Sequence, residues 1–166
     1  MNVKHCVTTT NNMKIRVYER HDWNSVVDIF NKAKPDEFKG SVDKDDLVPL
    51  EKDEDILRLF HSSNIYVAEQ NNEIIGFAGY KKYLISFLFV NPDHYRQKVA
   101  TKLLDYILPS IGNKAWLLVV NTNLSAIELY NKFGFTIAEE FLGKYNRNIN
   151  VTVLRLAIDP SLKSWK

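Results

Sequence analysis

A segment around residue 130 constrains the fold of this chain more than any other part of the sequence. Residues 121–135 read NTNLSAIELYNKFGF, and in a helix of about 3.6 residues per turn Asn123, Ala126 and Tyr130 fall on one face. Gly134 stands where helices commonly end with a left-handed residue. The segment therefore predicts a helix that presents an amide, a small residue and a phenol along one side. A tyrosine at this spacing is also a common half-buried packing residue, so the pattern alone leaves its role open.

A second segment predicts a strand, a turn and a helix in succession. Residues 86–104 read SFLFVNPDHYRQKVATKLL, which is an apolar run, a polar basic turn and a helical pattern that begins near Val99. The N-terminus of such a helix offers unpaired N–H groups and the positive end of the helix dipole, which suit a phosphate or pyrophosphate. Arg96 and Lys98 add positive charge there. An ordinary strand-to-helix connection with basic surface residues would give the same pattern.

In this order and at this separation, the two segments resemble the signatures of the GNAT family of acyl-CoA-dependent N-acetyltransferases. The family's second signature reads N-x-x-A-x-x-L/F-Y-x-x-x-G-F. This chain matches it at every fixed position, with Asn123, Ala126, Leu129, Tyr130, Gly134 and Phe135. The resemblance covers nearly the whole chain after residue 12.

The first signature, V-x-P followed by Q/R-x-x-G-x-G/A, is matched less completely. It is met at Val90, Pro92 and Ala100. Counting back from residues 103–104 places Tyr95 at the Q/R position and Lys98 at the first glycine. A shift by one residue, with a deletion, places Arg96 at Q/R instead. Either register remains open at this point.

A lysine at a glycine position of a phosphate loop has physical consequences. Glycine allows close approach of the backbone to a pyrophosphate and conformations with positive φ, whereas Lys98 adds a Cβ and a long side chain. Either its ammonium turns onto the phosphates and replaces close approach with charge, or the loop is deformed and CoA binds weakly or not at all.

Strand-like and helical patterns alternate along the rest of the chain without a linker or repeat. Strands are predicted over residues 13–18, 65–69, 74–80, 84–90, 115–120, 136–142 and 151–158. Helices are predicted over residues 23–34, which Pro35 follows, and over residues 53–61, besides the two described above. Residues 70–73 contain adjacent asparagines that tolerate positive φ, which indicates a hairpin turn.

The resemblance implies an α/β fold of the GNAT type, an α+β three-layer arrangement. Its seven-stranded sheet is mixed and mostly antiparallel, is flanked by about four helices in the order β-α-α-β-β-β-α-β-α-β-β, and has a splayed parallel pair in its centre. Residues 1–12 are polar and expected to be loose, and residues 13–166 are expected to form one GNAT-like acetyltransferase domain.

The resemblance also implies a site for acetyl-CoA, used as a co-substrate. In the family, the strands that correspond to residues 84–90 and 115–120 of this chain separate from each other, and the acetyl-pantetheine arm of the cofactor enters the opening. The main-chain N–H of Leu88 would stabilise the oxyanion, and Tyr130 would protonate the leaving thiolate. The residues assigned to the cofactor are Leu88, Phe89, Val90, Tyr95, Arg96, Gln97, Lys98, Val99, Ala100, Thr101, Asn123, Ala126 and Tyr130.

The residue that accepts the proton of the substrate amine is not evident. Many family members place a carboxylate on the strand that precedes V-x-P, but here residues 84–89 contain only Ser86 as a polar residue. Asp36, Glu69, Tyr80 and Tyr83 are candidates for this base, and each of them also fits a structural or surface role. The acidic segment 35–55 would favour a cationic amine, or is a solvated loop.

Composition bounds the classes of function. A net charge of +2, without a basic stripe interleaved with aromatic residues, argues against nucleic acid. The single cysteine, Cys6, excludes an internal disulfide, and no apolar run suits a membrane helix or a signal peptide, so a cytoplasmic protein is expected. The four histidines lack metal-ligand spacing, so no metal site is expected, although His94 lies in the phosphate turn.

Two functions follow from these observations. The first is an acetyl-CoA-dependent N-acetyltransferase, monomeric or homodimeric, that acts on a primary amine of a small molecule or peptide. The second is a non-catalytic GNAT-fold module with a weakened CoA site. The acceptor amine cannot be identified from the sequence, since one scaffold serves many acceptors.

Overall fold

The computed structural model describes residues 12–166. The segment expected to be loose therefore lies outside the described residues except for Asn12, and so does Cys6. The described part of the chain contains seven strands: β1 Lys14–Val17, β2 Asn64–Gln70, β3 Glu73–Lys81, β4 Leu84–Val90, β5 Trp116–Val120, β6 Thr136–Lys144 and β7 Asn150–Ala157. The α-helices are α1 Trp23–Glu37, α2 Glu54–Ser62, α3 Val99–Ile111 and α4 Leu124–Lys132. The chain order matches the predicted one.

The strands form a single sheet in the spatial order β1-β2-β3-β4-β5-β7-β6. Every neighbouring pair is antiparallel except β4 and β5, which are parallel. The predicted fold class, a mixed and mostly antiparallel seven-stranded sheet with a parallel pair in its centre, is confirmed.

Helices cover both faces of the sheet because each carries one apolar stripe. On one face, α1 and α2 bury Val26, Phe30 and Phe60 against Phe77 and Phe87 of the sheet. On the other face, α3 and α4 pack in a separate core that contains Leu103, Leu104, Ile107, Tyr130, Leu117 and Leu156. The result is three layers with a large core on each face of the sheet. Among residues 12–166, no helix has the length and hydropathy needed to cross a bilayer.

Most predicted boundaries lie within two residues of those observed, but the end of α1 was wrong. The helix was expected to stop before Pro35, yet it continues to Glu37, and the Phe38 N–H donates to the Lys34 carbonyl at 3.2 Å. Pro35 lies in the last turn, where its missing N–H costs one hydrogen bond of the helix. The two turn predictions are confirmed, because Asn71 and Asn72 have φ of 53° and 62° and Gly134 has φ of 89°.

Candidate functional site

A cleft opens in the middle of the sheet where the two parallel strands part. β4 and β5 are paired only at Leu84 and Trp116, and the Trp116 N–H donates to the Tyr83 carbonyl at 3.0 Å. Beyond that point the described residues of the two strands form no further register pair. The cleft has a volume of about 610 Å³ and is lined by β4, β5, the loop before α3, α4 and the end of α1.

A bulge at Ser86 accompanies the separation. Ile85 lies opposite Tyr80 and Phe87 lies opposite Gly79, so Ser86 has no partner on β3. Its hydroxyl lies 2.9 Å from that of Ser63, at the end of α2. An extra residue of this kind bends its strand and increases the local twist, which turns β4 away from β5.

The main chain of β4 beyond the bulge faces the cleft at alternate residues. The Asn91 N–H donates to the Ile75 carbonyl of β3 at 2.8 Å, and main-chain groups alternate in direction along an antiparallel strand. Phe89 therefore directs its main-chain groups toward β3, whereas Leu88 and Val90 direct theirs toward β5. Since β5 has moved away, the main-chain groups of Leu88 and Val90 are left facing the cleft.

The loop before α3 contains two residues in the left-handed conformation although it has no glycine. Arg96 and Lys98 both have φ of 61°, and Lys98 is the residue that precedes the first turn of α3. A left-handed conformation costs a residue with a Cβ about 1 kcal/mol or more. Lys98, which the sequence places at the first glycine of the signature, thus takes a conformation that glycine adopts more readily.

The predicted cofactor residues of this loop and of the first turn of α3 lie along the cleft, with one exception. Tyr95, Arg96, Lys98, Val99, Ala100 and Thr101 line the cleft. Gln97 does not line it, and its side chain instead lies 3.3 Å from His94 Nδ1. Within the described chain, no side chain caps the N-terminus of α3, so its first-turn N–H groups are available to an anion.

Tyr95 connects this loop to α1 across the mouth of the cleft. Its hydroxyl donates to Asp36 Oδ2 at 2.9 Å. Partial burial, and then the hydrogen bond to the carboxylate, raise the pKa of Tyr95 above its ordinary value. Asp36, one of the candidates for the base, is thus already engaged as a hydrogen-bond acceptor.

The predicted residues of α4 come together, but Asn123 lies just outside the helix rather than on its face. It is the N-cap of α4, and its Oδ1 accepts a hydrogen bond from the Ala126 N–H at 3.4 Å. Such capping satisfies one N–H of the first helical turn. The Asn123 oxygen is used within the helix cap, which leaves the amide NH₂ as the group that Asn123 can offer to a ligand.

Tyr130 is buried and reaches the cleft from α4. Its side chain is 7% exposed, and its ring packs edge-on against Phe135 with 5.7 Å between centroids. Burial is the main cause that raises the pKa of the phenol, and the carboxylate of Glu37 raises it further. The phenol is therefore neutral at physiological pH and holds a proton that it can donate.

Glu37 is a cleft residue that the sequence analysis did not single out. It is the last residue of α1 and lines the cleft together with Tyr130 and Leu88. Burial raises the pKa of Glu37 to about 7, and the ammonium of Lys34 opposes that shift. In the sequence Glu37 is one of many acidic residues in segment 35–55, and the expected end of the helix at residue 34 removed the only signal that could have placed it.

Glu69, Tyr80 and Tyr83, which the sequence also suggested for the base, lie away from the cleft. Glu69 Oε2 accepts from Arg16 Nε at 3.2 Å in a separate polar pocket. Neither Tyr80 nor Tyr83 lines the cleft. Of the four residues named from sequence, only Asp36 lies at the cleft.

Lys34 anchors the end of α1 that carries Glu37. It is 4% exposed, and its Nζ donates to the Val48 carbonyl at 3.0 Å. The ammonium also lies 4.9 Å from the ring centroid of Phe30 and 5.4 Å from that of Tyr145. These contacts tie the helix to the loop that follows it and to the turn between β6 and β7.

Comparisons with known proteins agree with this architecture. Residues 61–137 match the model of the acetyltransferase (GNAT) domain. A search of curated protein sequences gave no match. The segment that matches the domain model, residues 61–137, runs from β2 to the start of β6. It includes both strands of the cleft, the loop before α3, and α4.

Solved structures of acetyltransferases are similar in fold over most of this chain. The ribosomal-protein-S18-alanine N-acetyltransferase from Escherichia coli is 19% identical with a TM-score of 0.68, over 89% of this chain and 93% of the other. YncA from Salmonella typhimurium, a putative acetyltransferase solved with acetyl-CoA, is 19% identical with a TM-score of 0.62, over 89% and 94%. The PaiA N-acetyltransferase from Thermoplasma acidophilum, solved with coenzyme A, is 16% identical with a TM-score of 0.64, over 86% and 98%. At these identities the likeness establishes the fold.

Proposed function

Because residues 61–137 match the model of the acetyltransferase (GNAT) domain, we propose that this chain is an acetyl-CoA-dependent N-acetyltransferase. It transfers an acetyl group to a primary amine of a small molecule or peptide by direct attack of the amine on the thioester. The observation that carries this proposal is the cleft between β4 and β5, which is lined by the main chain of Leu88 and Val90 and by the buried phenol of Tyr130.

The two ends of acetyl-CoA are held by different elements. The pyrophosphate lies at the N-terminus of α3, where first-turn N–H groups are uncapped and Arg96 and Lys98 supply charge. The pantetheine arm runs along β4 and pairs with the main chain of Leu88 and Val90 like an added strand. Phe89 supports this segment by packing its ring against Phe30, with 4.7 Å between centroids.

Residues of α4 hold the other side of the arm. Asn123 donates its amide NH₂ to a carbonyl of the pantetheine, and Ala126 leaves room for the chain to pass. In the first turn of α3, Val99, Ala100 and Thr101 surround the phosphates with backbone groups. Tyr95 closes the loop onto α1, and Gln97 has a supporting role through His94 rather than direct contact.

The chemistry uses one main-chain donor and one side-chain acid. The Leu88 N–H stabilises the negative charge that develops on the thioester oxygen. Tyr130 protonates the leaving thiolate. A free phenol with a pKa of about 10 and a thiol with a pKa of about 8.5 make that transfer uphill by roughly 2 kcal/mol. Burial makes the phenol weaker still, so the proton moves as the C–S bond breaks rather than before it.

The class of acceptor is supported by the charge at the cleft and by the structural neighbours. Asp36 and Glu37 place carboxylates at the α1 side of the cleft, which favours a cationic amine. One neighbour acts on the alanine of a ribosomal protein and another is a putative phosphinothricin N-acetyltransferase. We accordingly place a peptide N-terminus and a small amino acid first among the acceptors to test.

Binding of CoA, measured by isothermal titration calorimetry, tests the proposal. We expect micromolar affinity for the wild-type protein and a loss of more than tenfold in Lys98→Glu, because the reversed charge faces the phosphates. Lys102→Glu is the matched control. It makes the same charge change one turn later on α3, at an exposed residue that does not line the cleft, and it is expected to bind CoA within about twofold of wild type.

A specific observation keeps the second function in consideration. Lys98 takes a positive φ where the family signature has glycine, and its side chain could fill the space that a pyrophosphate needs. If wild-type protein fails to bind CoA at millimolar concentration, the enzyme proposal is wrong and the chain is a non-catalytic module. Thiol release from acetyl-CoA with a panel of amines completes the test when CoA does bind.

A further inference from the structure

The acceptor half of an N-acetyl transfer requires a group that removes a proton. An amine of the lysine type has a pKa of about 10.4 and a peptide α-amino group a pKa of about 7.7–8.0. Both are mostly protonated at pH 7, and neither can attack until it loses that proton. β4 supplies no ionisable side chain, since its sequence is LISFLFV. A base must therefore come from an element outside this strand.

The opening in the sheet brings one such element to the cleft. α1 packs on one face of the sheet and α4 on the other. A closed sheet would separate the two helices, but the gap between β4 and β5 lets Glu37 of α1 and Tyr130 of α4 line the same cleft. The main-chain groups of Leu88, which face that gap, also line it. A carboxylate and a phenol thus line the same cleft as the main chain of Leu88.

The carboxylate of Glu37 is free to accept a proton. Within residues 12–166 it takes part in none of the salt bridges, whereas the carboxylates of Asp28, Asp22 and Glu69 are paired with basic side chains. Its neighbour Asp36 already accepts the hydrogen bond of Tyr95. Of the cleft carboxylates in the described chain, Glu37 is the one without a hydrogen-bond donor bound to it.

Burial gives this carboxylate the basicity that the step needs. The pKa of Glu37 is raised to about 7 by desolvation, and Lys34 is the neighbouring charge that opposes the shift. A base is most effective when its pKa lies near the operating pH. The other ionisable groups around the cleft are Lys34 and Asp36 on α1, His94, Tyr95, Arg96 and Lys98 on the loop, and Tyr130 on α4.

We propose that Glu37 is the general base of the reaction and takes the proton from the ammonium of the acceptor. This inference rests on the proposed function. The ammonium N–H bond breaks, the proton moves to a Glu37 oxygen, directly or through one water, and the nitrogen lone pair forms the C–N bond to the thioester carbon. The C–S bond then breaks as Tyr130 protonates the sulfur. The second nitrogen proton restores the phenol, and Glu37 releases its proton to solvent.

The pH dependence of Glu37→Gln is the decisive measurement. With the best acceptor among an N-terminal alanine peptide, spermidine and free amino acids, kcat/KM of the wild type is expected to rise with pH through an apparent pKa near 7. In Glu37→Gln this rise of kcat/KM with pH, the acidic limb of the pH profile, should be absent. Its kcat/KM at pH 7 should be about 10²- to 10³-fold below that of wild type, the range of general base catalysis. Glu37→Asp, which keeps the carboxylate one methylene shorter, should recover part of the rate and restore the limb.

Controls separate this inference from structural effects. Asp28→Asn removes an exposed carboxylate from the same helix, outside the cleft, where it pairs with Lys32 at 2.9 Å. It is expected to retain the rate and the limb. The Kd for CoA should stay within about twofold of wild type in Glu37→Gln, because the carboxylate serves the acceptor rather than the cofactor.

The inference and the proposed function can fail separately. If wild type acetylates an amine and Glu37→Gln keeps both the limb near pH 7 and its rate within about threefold, Glu37 is not the base although the enzyme proposal stands. If wild type binds no CoA, both are wrong. An NMR titration of ¹³C-labelled glutamate, assigned by the signal that Glu37→Gln loses, needs no acceptor. An ordinary pKa near 4.3 there would overturn the inference.

Discussion

At the scale of single residues, Tyr130 has a packing role, which belongs to its ring, and a proposed chemical role, which belongs to its hydroxyl. The ring packs against Phe135 in the core shared by α3 and α4, and the residue also lines the cleft. Tyr130→Phe keeps the ring and removes the proton donor. We expect turnover to fall about 10²-fold or more, while the Kd for CoA and the melting temperature change little. Steady-state kinetics, calorimetry and thermal melting measure the three quantities.

Tyr106→Phe is the control for that prediction. It removes the same hydroxyl from a tyrosine of α3 that is 48% exposed and does not line the cleft. Its turnover should equal that of wild type. An unchanged turnover in Tyr130→Phe would remove this residue from the mechanism and leave it a core residue.

Lys98 allows charge and backbone strain to be measured separately. Lys98→Gly relieves a left-handed conformation worth about 1 kcal/mol, but it costs about 0.4–1 kcal/mol through the greater freedom of the unfolded chain. The net change in the free energy of unfolding should stay within about 0.5 kcal/mol. If the ammonium contacts the phosphates, CoA affinity should fall about tenfold or more. Equal or tighter binding would mean that Lys98 obstructs the loop.

At the scale of the elements, the separation of β4 from β5 predicts a pattern of amide hydrogen exchange along β4. The Leu88 and Val90 N–H groups face the cleft, whereas that of Phe89 faces β3. In the free protein Leu88 and Val90 should exchange fast and Phe89 slowly. Saturating acetyl-CoA should slow exchange at Leu88 and Val90 by at least tenfold and leave Phe89 unchanged. Equal protection of all three in the free protein would mean that the strands are joined there.

The elements could be predicted from sequence because their periodicities are strong and local. The position of the bulge could not, since Ser86 differs from its neighbours only in being polar, and pairing with β3 decides which residue is left out. Asn123 was placed on the face of α4 by spacing alone. The structure shows it one position before the helix, where side-chain capping of the Ala126 N–H outweighs continuation of the helical turn.

At the scale of the whole molecule, the sequence predicted one half of the site better than the other. The cofactor half is built from two contiguous segments whose signatures are short-range. The acceptor half depends on contact between α1 and a cleft formed by residues some 50 to 90 positions later, and no local pattern reports such a contact. Glu37 was missed for this reason, and because the proline rule ended α1 three residues too early.

Glu37 also links the site to the stability of the whole protein. Because its pKa is about 7 in the folded state and about 4.3 unfolded, the folded protein binds the extra proton between these values. Its carboxylate therefore costs no stability below about pH 4.3 and becomes increasingly unfavourable as the pH rises to about 7. Glu37→Gln removes this cost. We expect the free energy of unfolding at pH 8.5 to increase by about 1–2 kcal/mol, after allowance for solvent in the cleft.

The difference between wild type and Glu37→Gln should shrink toward zero as the pH falls to about 4, where the wild-type carboxyl is mostly protonated in both states. Urea denaturation at several pH values measures it, with Asp28→Asn as the control that removes an exposed carboxylate from the same helix. A Glu37→Gln protein that is less stable than wild type at pH 8.5 would mean that the ionised carboxylate is stabilised by the fold. A more stable and less active variant would show instead that the cleft holds an unfavourable charge because the reaction uses it.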